Sequence, residues 1–289
     1  MLVLAVLLPT SSSRAAQFLN ISTRGFVAPN DHALIGGFVL SGATRKRVLV
    51  RGIGPSLTNA GLSDVLSDPT LELRNQDGVL LFANNDWQDY QKSEIEQTTI
   101  APDNDREAAF VVEVNTSGNY TAILRGADGE SGIGLIEIYD LSPNAGSLAN
   151  VSTRGFVETG DRAMIGGVIV GGGEKATPTI IRGIGPSLAN AGIDDRLADP
   201  TLEIRVSSGA LLYSNDNWKT TQRLLIEQTG IPPQHDFESA IAADLAPASY
   251  TAILRGRGNG IGTALVEFYH LTPPSFPLAI FSFENGLED

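Results

Sequence analysis

The 289-residue chain contains no cysteine. That single absence excludes disulfides, thiolate nucleophiles and Cys-ligated zinc. Histidine is scarce as well: His32, His235 and His270 are the only three, and they are widely separated. Basic residues number 20 against 33 acids, giving a formal net charge of −13. A field of that sign repels nucleic-acid backbones and anionic membrane surfaces, so nucleic acid is not an expected partner. Long apolar runs are also missing. The opening MLVLAVLL is far too short to cross a bilayer and no other segment is a transmembrane candidate, so no transmembrane span is expected.

Nucleotide loops are absent too, although one string invites the comparison. RGIGPSL stands at 51–57 and again at 182–188. A phosphate loop needs a Gly-Lys-Ser/Thr ending, and no Lys follows here. The dinucleotide pattern fails because Leu57 stands where its third glycine belongs, and a nucleophile elbow fails because Thr58 stands where the glycine after its serine belongs. His32 aligns with Arg162 and His235 with Asn104, so the two copies share no general base for Ser56 and Ser187. The string therefore reads as scaffold: a strand end, a tight path at Gly52 and Gly54, and a helical turn opened by Pro55. In this reading Ser56 and Ser187 satisfy backbone donors. Arg51 is expected to pair with Asp68 or Glu72, and Arg182 with Asp199 or Glu203.

What the chain does have is an internal duplication. NISTRGFV (20–27) returns as NVSTRGFV (150–157), DPTLELR (68–74) as DPTLEIR (199–205), and YTAILRG (120–126) at 250–256. The offset is 130 or 131 throughout, which marks whole-domain repeats rather than a solenoid. Repeat 1 is assigned to 19–143, repeat 2 to 149–273, and NAGSL at 144–148 to the linker. Residues 1–16 carry most of a signal peptide, and 274–289 are a tail or the start of a further module. Export, with a secreted or cell-surface location, is the expectation. Within each repeat, short β-branched segments separated by Gly, Asp, Asn and Pro predict an all-β fold of two tandem antiparallel β-sandwiches. In repeat 1 the strands fall near 19–27, 33–40, 46–51, 70–75, 78–84, 107–114, 119–125 and 133–141, with short helical turns at 55–61 and 93–99.

Two features could carry function. NNDW at 84–87 with NDRE at 104–107, and NDNW at 215–218 with HDFE at 235–238, concentrate acids at equivalent places. Asp105 and Glu107 would point the same way on an extended segment, and with Asp86 they could offer oxygens to Ca²⁺. Asp216, Asp236 and Glu238 form the second set. Between copies one acid slides by a place, Asp86 aligning with Asn217, and Asx turns are the competing reading. The same carboxylates could serve glycoside hydrolysis, but no matched acid and base stand out. Trp87 and Trp218, the only tryptophans, lie beside these loops. They are either core plugs or exposed platforms for a sugar face.

The run DPTLELRNQDGVLLFANNDW, then an acidic pair, then SGNYTAILRG resembles the bacterial pre-peptidase C-terminal type of domain, over 68–126 and again over 199–256. The NISTRGFV and RGIGPSL units are similar to tandem repeats of large exported bacterial proteins. The resemblance implies a jelly-roll-like sandwich without catalytic activity, calcium-binding in some members and appended to secreted enzymes or surface proteins. Asp86, Asp105 and Glu107, with Asp216, Asp236 and Glu238, match its acidic positions. The resulting expectation is a non-catalytic surface or adhesion module, stabilised by Ca²⁺, whose partner is a surface or matrix protein or a polysaccharide. The alternative is a carbohydrate-binding accessory module built around Trp87 and Trp218.

Overall fold

The computed structural model describes residues 16–41, 45–115, 118–142 and 147–271. The signal-peptide segment before residue 16, the core of the expected linker and the 274–289 tail lie outside the described residues. Repeat 1 supplies β1 (Gln17–Val27), β2 (Leu34–Ser41), β3 (Arg45–Ile53), β4 (Pro69–Asn75), β5 (Leu80–Asn84), β6 (Ala108–Asn115), β7 (Asn119–Gly126) and β8 (Gly132–Asp140). A short helix, α1 (Lys92–Gln97), lies between β5 and β6. Repeat 2 supplies β9 (Ser147–Val157), β10 (Met164–Gly171), β11 (Thr177–Ile184), β12 (Pro200–Val206), β13 (Leu211–Asn215), β14 (Ser239–Leu245), β15 (Ala248–Gly256) and β16 (Gly262–His270), with α2 (Arg223–Gln228) in the matching place. All eight strands and both helical turns expected in repeat 1 are found, with ends displaced by a few residues. Among the described residues no helix is long and apolar enough to cross a membrane.

Each repeat is a jelly roll. In repeat 1 one sheet runs β6-β3-β8-β1 and the other β5-β4-β7-β2. Alternation produces the core: Leu71 and Leu73 of β4 are fully buried, while Glu72 and Arg74 face outward and pair with each other. The sheets close on one another so tightly that a Cβ on Gly52 of β3 would sit 2.6 Å from the Leu124 side chain of β7.

The sheets do not stop at the repeat boundary. β1 pairs antiparallel with β10, and β2 pairs antiparallel with β9. One sheet therefore runs β6-β3-β8-β1-β10-β15-β12-β13 and the other β5-β4-β7-β2-β9-β16-β11-β14. Two parallel bridges between β1 and β9, Phe18 with Leu148 and Phe26 with Phe156, join them at the centre. One hydrophobic core passes through the joint, taking in Phe18, Phe38, Leu148 and Val168. Because β1 corresponds to β9 and β2 to β10, the joint has a pseudo-twofold axis, as an isologous dimer interface does.

The residues of NISTRGFV build this joint. Thr23 and Thr153, equivalent positions 130 residues apart, hydrogen-bond through their buried hydroxyls at 2.8 Å. Ser22 stands opposite Gly167 and Ser152 opposite Gly37. A Cβ at Gly167 would come within 2.5 Å of the Ser22 hydroxyl, so the serine uses the space the glycine leaves. Thr23→Val alone strands the hydroxyl of Thr153 and is expected to cost about 1–2 kcal/mol, whereas the Thr23→Val, Thr153→Val double variant recovers most of that loss. A double-mutant cycle in denaturant checks this.

Reciprocal ion pairs flank the axis. His32 of repeat 1 meets Asp195 of repeat 2 at 2.7 Å, and Arg162 of repeat 2 meets Asp64 of repeat 1 at 2.7 Å. His32 stacks on Phe156, and Arg162 lies over Phe26. Burial pushes the Asp195 carboxyl up, but hydrogen bonds from His32 and Thr263 outweigh it, and the group ends below its ordinary value. With the folded value below the unfolded one, its contribution is complete above the unfolded pKa and drains away as pH falls through the folded one. Acid unfolding of Asp195→Asn is therefore expected to show a shallower loss of stability in that window than the wild type. Curves of equal slope would remove Asp195 from the account.

Candidate functional site

The duplicated strings converge at the end of each sandwich. After β3 the chain passes through Gly54, whose Cβ would lie 2.1 Å from the Leu66 carbonyl oxygen, so no larger residue fits there. A helical turn over Pro55–Ala60 follows and ends at Gly61 with φ of 84°. The carboxylate of Glu107, completely buried, sits under this turn. Its Oε1 accepts hydrogen bonds from the Gly54 amide at 3.1 Å, the Ser56 amide at 2.9 Å and the Ser56 hydroxyl at 2.5 Å. Oε2 accepts from the Asn104 amide at 3.3 Å. Repeat 2 copies this arrangement: Glu238 accepts from the amides of Gly185, Ser187 and His235 and from the Ser187 hydroxyl. Ser56 and Ser187 thus donate to a buried acid, where the sequence suggested that they accept from the backbone.

Arg51 is half-buried as expected, but its partner differs. Its guanidinium grips Glu137 of β8, not Asp68 or Glu72, and also donates to the Ile100 carbonyl at 2.6 Å. Arg182 makes the matching contacts with Glu267 and the Ile231 carbonyl. The neighbouring strand places Glu137 directly beside Arg51 in register, whereas Glu72 belongs to the opposite sheet. Tyr139 donates to Glu137 and Tyr269 to Glu267. Burial and then the adjacent carboxylate push both phenols up to about 12.

The NNDW loop closes the assembly. Asn84 donates to the Asp86 carbonyl and accepts from the Ala109 amide, tying the end of β5 to β6. The Trp87 amide donates to the Glu107 carbonyl at 2.8 Å, and its indole donates to the Asn104 carbonyl at 3.2 Å. Trp87 then packs with Ile95 of α1 against Leu49, Ala109 and Val111, forming a small second core on the outer face of the sheet. Trp218 and Ile226 do the same against Ile180, Ala240 and Ala242. Trp87 is 6% exposed and Trp218 4%. Neither indole offers a face to a sugar, because each is consumed in holding its helix to the sheet.

The acidic sets do not come together. Residues 104–107 form a turn, closed by the Glu107 amide on the Asn104 carbonyl and by the Arg106 amide on the Asn104 side chain, so Asp105 and Glu107 diverge. Asp105 is exposed and accepts from Gln88, while Glu107 is spent on RGIGPSL. In repeat 2 Asp236 pairs with Lys219 at 2.5 Å, which holds it below its ordinary value, and Asp216 pairs with Arg257 at 2.7 Å. That last pair accounts for the acid that slides between copies, since repeat 1 has Ala127 in place of Arg257. Asp86 is pushed up by burial and by Asp68 and Asp89, which outweigh the opposing charge of Arg106. Among the described residues no three Asp, Glu or His side chains gather as a cation site. The donor sets Asp86, Asp105, Glu107 and Asp216, Asp236, Glu238 do not fit a shared Ca²⁺: one member of each is completely buried with both oxygens already accepting hydrogen bonds, and two of the second set hold ammonium or guanidinium groups.

Two arrangements gave no signal in the sequence. One is the joint. The other is Lys46–Asp140, an ion pair at 2.6 Å with both side chains completely buried, where repeat 2 has Thr177 and His270. Asp140 also accepts from the Ser142 amide, and Lys46 donates to the Ser142 carbonyl.

No family model matches the chain, and no curated protein matches it. Among solved structures, the tandem CBM51 modules of a family 98 glycoside hydrolase from Streptococcus pneumoniae align over 87% of this chain and 84% of theirs, at 10% identity and a TM-score of 0.22. PNGF-II aligns over 90% of this chain and 66% of its own, at 9% identity and a TM-score of 0.22. Bacillus subtilis oxalate decarboxylase aligns over 91% and 77%, at 6% identity and a TM-score of 0.15. At scores this low the alignments bear on neither mechanism nor ligand, and the fold assignment rests on the strand pairing itself.

Proposed function

We propose that this chain is a non-catalytic binding and structural module of an exported protein, with both repeats acting as one body. The observation that supports this reading most directly is the fate of the three histidines. His32 takes the place of Arg162 in an ion pair, and His235 takes the place of Asn104, accepting the Phe237 amide in a turn. His270 takes the place of Asp140 and is held below its ordinary pKa by burial. The framework is duplicated while the histidines are not, so the two copies share no imidazole base, and the acids and phenols that are duplicated are held in hydrogen bonds. Ser56, Glu107, Arg51 and Tyr139 are engaged with one another or with backbone. Screening against glycoside, ester and peptide substrates is expected to give no turnover. Turnover that disappears with Ser56→Ala, in a variant that still folds, would sink the proposal.

A second reading, carbohydrate binding, draws on a depression in repeat 2 lined by Thr201, Glu203, Ser214, Asp216, Thr220 and Thr221. Hydroxyls and carboxylates in a concave setting suit sugar hydroxyls, and this lining replaces the tryptophans as the feature to test. A glycan array comparing wild type with Thr220→Ala, Thr221→Ala separates the two readings.

A further inference from the structure

Among the described residues the two continuous sheets have four free edges, β6 and β13 on one, β5 and β14 on the other. The chain treats them differently. Along β6, the Asn84 side chain accepts the Ala109 amide at 2.9 Å. The Gln91 side chain accepts the Val111 amide at 3.1 Å and donates to its carbonyl at 2.9 Å. Along β14, Asn215 accepts the Ala240 amide, and Gln222 accepts the Ala242 amide and donates to its carbonyl. Carboxamide side chains thus occupy the groups a further strand would use, one of the ways a protein protects a sheet edge.

β5 and β13 differ in kind. Each pairs with a single neighbour, β4 and β12 respectively. Residues 78–84 and 209–215 contain no charge and no proline, the usual protections of an edge. Val79, Leu80 and Leu81 are 55%, 47% and 41% exposed, and Leu211, Leu212 and Tyr213 are 53%, 42% and 36% exposed. A bulge in each strand is the edge device they do carry, and it bends the strand without adding charge. On a chain of net charge −13, these are two neutral, apolar strips at opposite ends of the body.

We propose that β5 and β13 are self-association edges, each adding edge to edge and antiparallel to the corresponding strand of a second copy of this chain. Two observations select a copy as the occupant. The pseudo-twofold axis makes the ends equivalent, so every copy brings a matching uncharged strand to the contact. The chain already uses the same chemistry between its repeats, joining them edge to edge and antiparallel in β1·β10 and β2·β9. With two such ends per chain, the sheets continue from copy to copy and the product is a linear array. This inference deepens the structural role proposed above and rests on it.

Sedimentation velocity of the full chain over roughly a hundredfold concentration range reads the association, which mass action must shift. The wild type is expected to give species beyond the monomer that grow with concentration. Leu81→Lys, Leu212→Lys is expected to lose them completely, and either single variant to stop at a dimer. Leu81 and Leu212 are surface residues, so circular dichroism and an unchanged melting midpoint establish that the variants fold; Leu81→Thr, Leu212→Thr serves if the lysines disturb folding. A wild type that is monomeric throughout overturns the proposal and leaves the edges to a strand from another protein. So does a double variant that assembles like the wild type. Substrate turnover by a monomeric wild type would instead count against the non-catalytic reading, so the two failures are distinguishable.

Discussion

Replacing Glu107 with alanine is expected to cost about 3–5 kcal/mol, read as a lower denaturant midpoint with an unchanged slope. The carboxylate is completely buried and accepts four hydrogen bonds, from the amides of Gly54, Ser56 and Asn104 and from the Ser56 hydroxyl. Removing it leaves three backbone donors without that partner, the Gly54 amide in a buried position and those of Ser56 and Asn104 in partly buried ones, and a buried donor left unpaired costs about 1–3 kcal/mol before any relaxation. Glu107→Gln is expected to recover only part of the loss. Its carbonyl can serve Gly54 and Ser56, but its amide then confronts the Asn104 amide, donor against donor. Glu238→Ala provides an internal replicate, because the same four kinds of donor meet it. A loss below about 1 kcal/mol in both repeats would contradict this account of RGIGPSL.

Asp140→Ala is expected to have a comparable effect by a different route, about 3–5 kcal/mol, because it removes the carboxylate that pairs with the buried Lys46 ammonium. Repeat 2 supplies the control. Thr177 and His270 occupy the equivalent places and hold no ion pair, so Lys46→Thr, Asp140→His transplants a combination the fold already accommodates. The double variant is expected to be within about 1–2 kcal/mol of wild type, since replacing both members of a buried pair is often neutral. Thermal melts of the single and double variants decide it. If the double variant is as damaged as Asp140→Ala, the pair contributes something other than mutual compensation.

The strands were legible because alternation is local: TLELR alternates Leu with charge, and one face must be buried whatever surrounds it. The helical turn after RGIGPSL was equally legible from Pro55 and Gly61. What escaped was every fact about which strand lies beside which. Arg51 has several carboxylates at plausible spacing, and only strand order selects Glu137 over Glu72. Asp105 and Glu107 were read on an extended segment, but Asn104 turns the chain between them, and a two-residue separation that aligns side chains on a strand divides them in a turn. The joint was hidden for a deeper reason. Duplication makes β1 and β9 nearly identical in sequence, so nothing in NISTRGFV says whether it completes its own copy or the other.

That joint has a consequence for the order in which the protein can be made. β1 and β2 are synthesised well before β9 and β10, yet those strands of the second copy cover their edges, with Thr23 waiting 130 residues for Thr153. Until then the first jelly roll has two open edges beside Phe18 and Phe38, in the state where partly finished β-proteins misassociate. Maturation is therefore all or none across the duplication. A truncation anywhere before β10 deprives the first copy of its closure as well as the second of its strands, and a holding factor during synthesis would act on β1 and β2.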